Sequence, residues 1–218
     1  MARMISFVLT NVGSKVVLAV TGAVMFLFLI GHMLGNLQIF EGSERLNAYA
    51  AFLKSTGELL WGARIVLLVA VALHIVTAAK VTLSNWLARP VGYACKKNIE
   101  TSYAARTMIV TGPLVFLYVV YHLMMFTWLS TGPGYSPTDV YANVVAAFQM
   151  PAISIVYIVA MLVLGVHLYH GIWSMLQTVG IANPRYQWLR RSVAPVVAIV
   201  ITAGYIAIPV AVLVGIVK

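Results

Sequence analysis

Apolar residues fall into five long blocks, roughly 16–39, 59–83, 107–130, 150–176 and 193–216, with polar connections between them. Each block is near the ~20 residues that an α-helix needs to cross a hydrocarbon core. The pattern predicts five membrane-spanning helices. The first block is longer than a signal-peptide core and no small-residue cleavage pattern follows it, so it is expected to remain in the chain.

Composition agrees with that reading. Of 218 residues, 62% are hydrophobic and 9% charged, whereas about a quarter of a soluble domain is charged. There is too little polar surface to cover a water-soluble globule. The expected fold class is all-α: an integral membrane bundle of five transmembrane helices, forming a single unit over residues 1–218.

Charge then orients the bundle. Ten of the 14 basic residues lie at the N-terminus (Arg3, Lys15), in the second connection (Lys80, Arg89, Lys96, Lys97, Arg106) and in the fourth (Arg185, Arg190, Arg191). The first connection has Arg45 and Lys54, with Arg64 just inside the next helix, and the third has none. By the positive-inside rule the N-terminus is cytoplasmic and the C-terminus outside, as in a bacterial-type inner membrane. The net charge of +9 follows from this bias, so no nucleic-acid partner is needed. An anionic partner on the inner face remains compatible. The one cysteine, Cys95, falls in a cytoplasmic connection, is expected to be reduced and carries no assigned role.

The chain repeats itself. Residues 20–32 read VTGAVMFLFLIGH and residues 110–122 read VTGPLVFLYVVYH. VTG recurs, Phe26 matches Phe116, Leu27 matches Leu117, and a histidine closes both segments in register. The second and fourth helices match more weakly, through His74 and His167, each followed four residues on by a small residue, Ala78 or Gly171. The first four helices therefore read as two copies of a helix pair running in the same direction, and the fifth, without histidine, as an addition.

All five histidines lie inside apolar blocks, where ionisable residues are rare and usually functional. A single one is more simply a polar residue gluing two helices. Four of them pair by depth. His32 and His122 lie ~24 and ~22 Å from the inner starts of the first and third helices, near the outer surface. His74 and His167 lie ~22 and ~25 Å from the outer starts of the second and fourth, near the inner surface. Neutral imidazole is a good haem-iron ligand. Two pairs at matched depth suit two stacked b haems about 15 Å apart along the membrane normal. With both axial positions filled, such haems transfer electrons and leave no open site for oxygen. His170, one turn below His167, is the alternative ligand. The repeat register favours His167, and leaves His170 as a polar group near the inner interface or a propionate partner.

Other polar residues carry weaker signals. Lys15, Lys80, Arg106 and Arg185 sit near inner helix ends, where they suit haem propionates or plain positive-inside topology equally. Arg64 either snorkels outward or meets outer propionates. The outer connection offers Glu41, Glu44, Asn47, Tyr49 and Glu58 to a quinone near the outer pair, although an outer loop is polar anyway. Ser14 and Lys15 mark an inner alternative. Trp61, Trp86, Trp128 and Trp188 fall at block ends and read as aromatic belts. The methionines read as packing filler, and Pro113, Pro195 and Pro209 as kinks.

The segments SKVVLAVTG…FLFLIGHMLGNLQ (14–38), ERLNAYAAFL (44–53), SYAARTMIVTG…YHL (102–123) and HLYHGIWSMLQTVG (167–180) resemble the membrane cytochrome b subunit of succinate:quinone oxidoreductases, in its single-chain, five-helix, two-haem form. The resemblance spans most of the chain. It implies a membrane anchor that holds a flavoprotein and an iron–sulfur subunit on the cytoplasmic face. It also implies an inner haem between the second and fourth helices, an outer haem between the first and third, and a quinone, often menaquinone. Such anchors serve succinate dehydrogenases and fumarate reductases alike. The chain has no nucleotide motif, flavin site or cysteine cluster, so chemistry on succinate is expected in other subunits. A stand-alone di-haem quinone reductase and a transporter with buried histidines are the competing readings.

Overall fold

Helix boundaries follow capping chemistry as much as hydropathy. Thr10 accepts a hydrogen bond from the Gly13 amide at 3.0 Å and starts α1 (Asn11–Asn36). Ser102 does the same for Ala105 at 3.2 Å and starts α4 (Tyr103–Phe126). Each hydroxyl satisfies one of the amides that a helix start leaves unpaired. Both helices therefore begin a turn before their apolar blocks.

In this computed structural model the described residues are 10–88, 91, 92, 94, 95, 97, 101–131, 136–180 and 187–218, without the side chains of 187, 189 and 190. Arg3, Arg89, Lys96, Arg185 and the Arg190 side chain lie outside them. After α1, a 3-10 turn (Leu37–Glu41) leads to α2 (Ser43–Ser55). Gly57, at φ +50°, breaks the chain before α3 (Glu58–Leu87). After α4 come α5 (Val140–Phe148), α6 (Pro151–Thr178) and α7 (Gln187–Leu213). The described residues form helices and connections only, and α1, α3, α4, α6 and α7 are long and apolar enough to cross a membrane. These are the five expected spans, with ends shifted by a few residues. The third stops at Phe126 rather than 130.

The described parts of the first and third connections are packed together. α2 and α5 pack against each other, the 3-10 turn and the end of α7. Asn47 donates to the Asp139 carboxylate at 2.9 Å and accepts from the Tyr141 amide at 3.0 Å. Lys54 donates to the Pro137 carbonyl at 2.6 Å, and Tyr141 to the Lys218 carbonyl at 3.0 Å. Asp139 also caps α5 through the Ala142 amide at 2.9 Å. These amide contacts, Ala142 first and Asn47 second, hold its carboxyl below the ordinary carboxylate range. This end of the bundle is called the capped end, and the other the basic end.

The core sits off-centre. α6 packs most extensively on α7, and α1 leans on both. A third of the apolar window of α7 is buried, against 6% of that of α3. Two close approaches tighten these seams. A side chain at Gly165 of α6 would run into Thr202 Oγ1 of α7. One at Gly204 would meet Met33 Sδ of α1 at 2.5 Å. The fourth span is thus the hub, packed on by α7, α4 and α1, and the fifth, which carries no histidine, is its most extensive neighbour. Otherwise α1 packs on α3, and α4 on α6. Neither α1 with α4 nor α3 with α6 is a close-packed pair.

Candidate functional site

The histidines meet their neighbours at two levels. At the capped end, His32 of α1 and His122 of α4 lie with ring centres 5.8 Å apart and planes at 87°. Phe28 stacks on His32 at 5.2 Å. His122 Nδ1 lies 3.3 Å from the Tyr157 hydroxyl, within a shell formed by Tyr118, Phe126 and Tyr157. At the lower level, His74 Nδ1 of α3 lies 3.0 Å from Thr21 Oγ1 of α1. His167 Nδ1 of α6 lies 3.4 Å from Thr111 Oγ1 of α4. His74 is close enough to His167 to interact with it electrostatically, as is His170.

Those threonines give the levels a common ruler. Thr21 precedes His32 by eleven residues on α1, and Thr111 precedes His122 by eleven on α4. At the helical rise both intervals are about 16 Å. Each pair therefore joins one helix of the first half to one of the second, across helices that do not close-pack on each other.

This arrangement fits a planar metal macrocycle. Two imidazoles on opposite sides of one metal, with bonds of about 2 Å, place their ring centres roughly 6 Å apart, close to the 5.8 Å here. Three of the four rings face a hydroxyl with Nδ1, which leaves Nε2 for a metal. Among the described residues no three His, Cys, Asp or Glu side chains gather into a metal cage. His32 and His122 would hold one such macrocycle and His74 and His167 the other, and it would supply one-electron chemistry there. A side chain at Gly171, one turn after His167, would meet nothing within 4 Å, so the space beside that ligand candidate is open.

The remaining candidates are placed as follows. Ser14 is buried, 1% exposed, and accepts from Lys80 Nζ at 3.1 Å, which ties the basic ends of α1 and α3 together. Lys15 is exposed. Arg106 lies over the Tyr103 ring at 5.7 Å and Arg64 over the Trp61 ring at 5.1 Å, both exposed. His170 is half-buried on α6. Glu44 and Glu58 are exposed at the capped end. Glu41 pairs with Arg45 at 3.3 Å and Asn47 is held in the clamp with Asp139. A pocket of about 260 Å³ opens there, lined by Gln38, Arg45, Ala48, Tyr49 and Phe52 rather than by Glu44 or Glu58. The four expected belt tryptophans are all exposed.

Sequence reasoning assigns no role to Thr21, Thr111 or Tyr157. The signal was present for the first two, because VTG recurs. Its glycines serve the same contact: positions for a side chain at Gly22 and Gly112 lie 3.6 and 3.8 Å from Cε1 of His74 and His167.

Comparison with known proteins supplies the family. No curated protein and no solved structure matches the chain. The family model described as succinate dehydrogenase/fumarate reductase transmembrane subunit matches residues 93–207, just over half of the chain. That segment holds α4, α5, α6 and most of α7, and with them His122 and His167. With five apolar helices of membrane-crossing length in one bundle, the chain belongs to the succinate dehydrogenase/fumarate reductase transmembrane subunit family and is a multi-pass membrane anchor of that kind of complex.

Proposed function

We propose that the chain is the di-haem cytochrome b anchor of a succinate dehydrogenase. In this reading it links an iron–sulfur subunit, itself bound to a flavoprotein, to membrane quinone. The observation that carries the reading is the placement of four histidines at two levels about 16 Å apart, His32 against His122 at one, and His74 and His167, each on a threonine of the neighbouring helix, at the other. His32 and His122 would hold one haem b, and His74 and His167 the other. Bound haem supplies reversible one-electron transfer. The chain's part is to fix the rings, exclude water with Phe28, Tyr118, Phe126 and Tyr157, and set the distance between the two levels.

The basic end is the cytoplasmic face in this reading and docks the iron–sulfur subunit. Lys15, Lys80 and Arg106 stand there with Arg191. Arg106, Arg64 and His170 are the propionate candidates. The quinone, menaquinone in this proposal, reacts at the capped end. Two features support that choice over the Ser14 and Lys15 alternative. Ser14 is already buried under Lys80, whereas the capped end has exposed Glu44 and Glu58 to exchange protons and a pocket of headgroup size. Each charge carried between the ends against the full membrane potential costs about 2.3 kcal/mol per 100 mV, so the direction of flux is linked to that potential.

Purification in native lipid, with subunit identification and a pyridine haemochrome assay, tests the proposal. The expected result is two haems b per chain and co-purification of a flavoprotein and an iron–sulfur subunit. One haem per chain, or none, refutes the site. Two haems without soluble subunits would instead make the chain a stand-alone quinone reductase.

A further inference from the structure

We propose that Thr21 and Thr111 are positioning residues that select the tautomer and donor strength of the histidines facing them. The inference rests on the di-haem reading above and goes beyond it. Both threonines serve the same level, so both ligand candidates of the basic-end pair are held in this way.

The hydrogen count at Thr21 decides the direction of its bond. A threonine hydroxyl has one proton to give. Thr21 gives it to the Val17 carbonyl of its own helix, at 2.7 Å. With its proton so placed, its oxygen accepts from His74 Nδ1, 3.0 Å away, in the tautomer that carries a proton there, and the Leu18 carbonyl is a second acceptor for the same ring. A neutral imidazole that carries its proton on Nδ1 has its lone pair on Nε2, the nitrogen left for iron. Thr111 is set up similarly but more loosely. Its hydroxyl is directed at Met108 Sδ at 3.8 Å, a weak acceptor, and its distance to His167 Nδ1 is 3.4 Å. The adjacent glycines let each ring lie against the partner helix, with Cε1 facing Gly22 or Gly112. The recurring VTG thus acts as a histidine cradle, in which threonine accepts and glycine makes room.

A histidine whose Nδ1–H is hydrogen-bonded is a more basic ligand, and a more basic ligand favours ferric over ferrous iron. Removing the acceptor should raise the midpoint potential of the basic-end haem and leave the capped-end haem unchanged. A threonine that only glues α1 to α3, or α4 to α6, would move stability and not the potential.

The test uses the intact complex with Thr21→Val, Thr111→Val and the matching serine variants, read by haem content, redox titration and the low-temperature EPR signature of each haem. H122A identifies the capped-end signal by removing it. The expected result for Thr21→Val is two haems retained. The basic-end potential should rise by enough to shift its ferric/ferrous ratio up to tenfold, about 59 mV for one electron. The effect should be smaller for Thr111→Val, and Thr21→Ser should return to the wild-type value. If a valine variant sheds the haem, the alanine variant is titrated in its place with the same rise in potential expected, and an unchanged potential there overturns the inference. An unchanged potential in a fully loaded valine variant, or a change confined to the capped-end signal, also overturns it. A wild-type protein without two haems defeats the di-haem reading first, and the inference with it.

Discussion

The seam between α6 and α7 sets where His167 stands, and its tightest point is Gly165, two residues before that histidine. A methyl group at Gly165 would collide with Thr202 Oγ1, while Thr202 Cβ and Cγ2 would each lie at 3.5 Å, an ordinary contact. The whole conflict therefore lies in one hydroxyl. Thr202 Oγ1 is buried and has no hydrogen-bond partner among the described residues. G165A should cost about 1–3 kcal/mol in overpacking, offset by about 0.5–1 kcal/mol from the better helix propensity of alanine. The expected net loss is about 1–2 kcal/mol by the same principles. T202A removes the unpaired hydroxyl together with the Cγ2 methyl packed in the same seam, and should cost about 1–2 kcal/mol. In G165A/T202A the clashing atom is gone, so the double variant should match T202A or exceed it, which is a restoring coupling of about 1–3 kcal/mol. Unfolding of the purified chain by SDS in mixed micelles, followed by circular dichroism, measures each corner of the cycle. The haem content of G165A should fall at the His74/His167 level first and recover in the double variant. If G165A is as stable as wild type, or the double variant as unstable as G165A, the account of this seam is wrong.

Four further outcomes are expected. H167A should lose one haem while H170A keeps both, measured by pyridine haemochrome; the reverse pattern would assign the ligand to His170. N47A should free α2 from α5, seen as faster amide exchange over residues 43–55 with haem content unchanged. The same contact carries a pH signature. The Asp139 carboxyl is held below its ordinary value of 3.8, so the clamp should be intact above that pH and loosen as pH falls through the lower, folded-state value. An NMR titration in which N47A leaves the Asp139 carboxyl carbon unmoved would show that Asn47 does not hold it. Crosslinks from the iron–sulfur subunit should fall on residues 85–106 and 181–192; confinement to 40–58 and 131–149 would place the docking face at the capped end.

The five spans were legible because runs of about 20 apolar residues have few other fates. Their ends were less so, because Thr10 and Ser102 start helices ahead of the apolar runs. α2 escaped detection for a physical reason: Leu46 is its only buried residue, and its Asn47 and Lys54 are held by Asp139 and Pro137, far along the chain. α5, at nine residues, is too short to register as a span. The two histidine levels could be counted from spacing alone. Their hydroxyl partners could not, since a threonine in an apolar helix is satisfied by its own backbone, as Thr21 is by Val17. The weight of α7 was hidden too. It has no histidine to draw attention, and its contacts at Thr202 and Gly204 need coordinates to be seen.

The crossing of the two halves has a consequence in time. α1 packs on α3 and α4 on α6, yet each histidine pair takes one member from each half. A ribosome delivers the first half complete, with His32 and His74 already in the bilayer, before either partner exists. At roughly 5–20 residues per second, on the order of ten seconds separates the synthesis of His32 from that of His167. On the proposed pairing, haem cannot be gripped from both sides until the third span is inserted, nor the second one until the fourth. Capture is then a late step of biogenesis and fastens two preassembled hairpins. A shortage of haem should leave inserted, half-joined chains for membrane proteases to clear, rather than a failure of insertion.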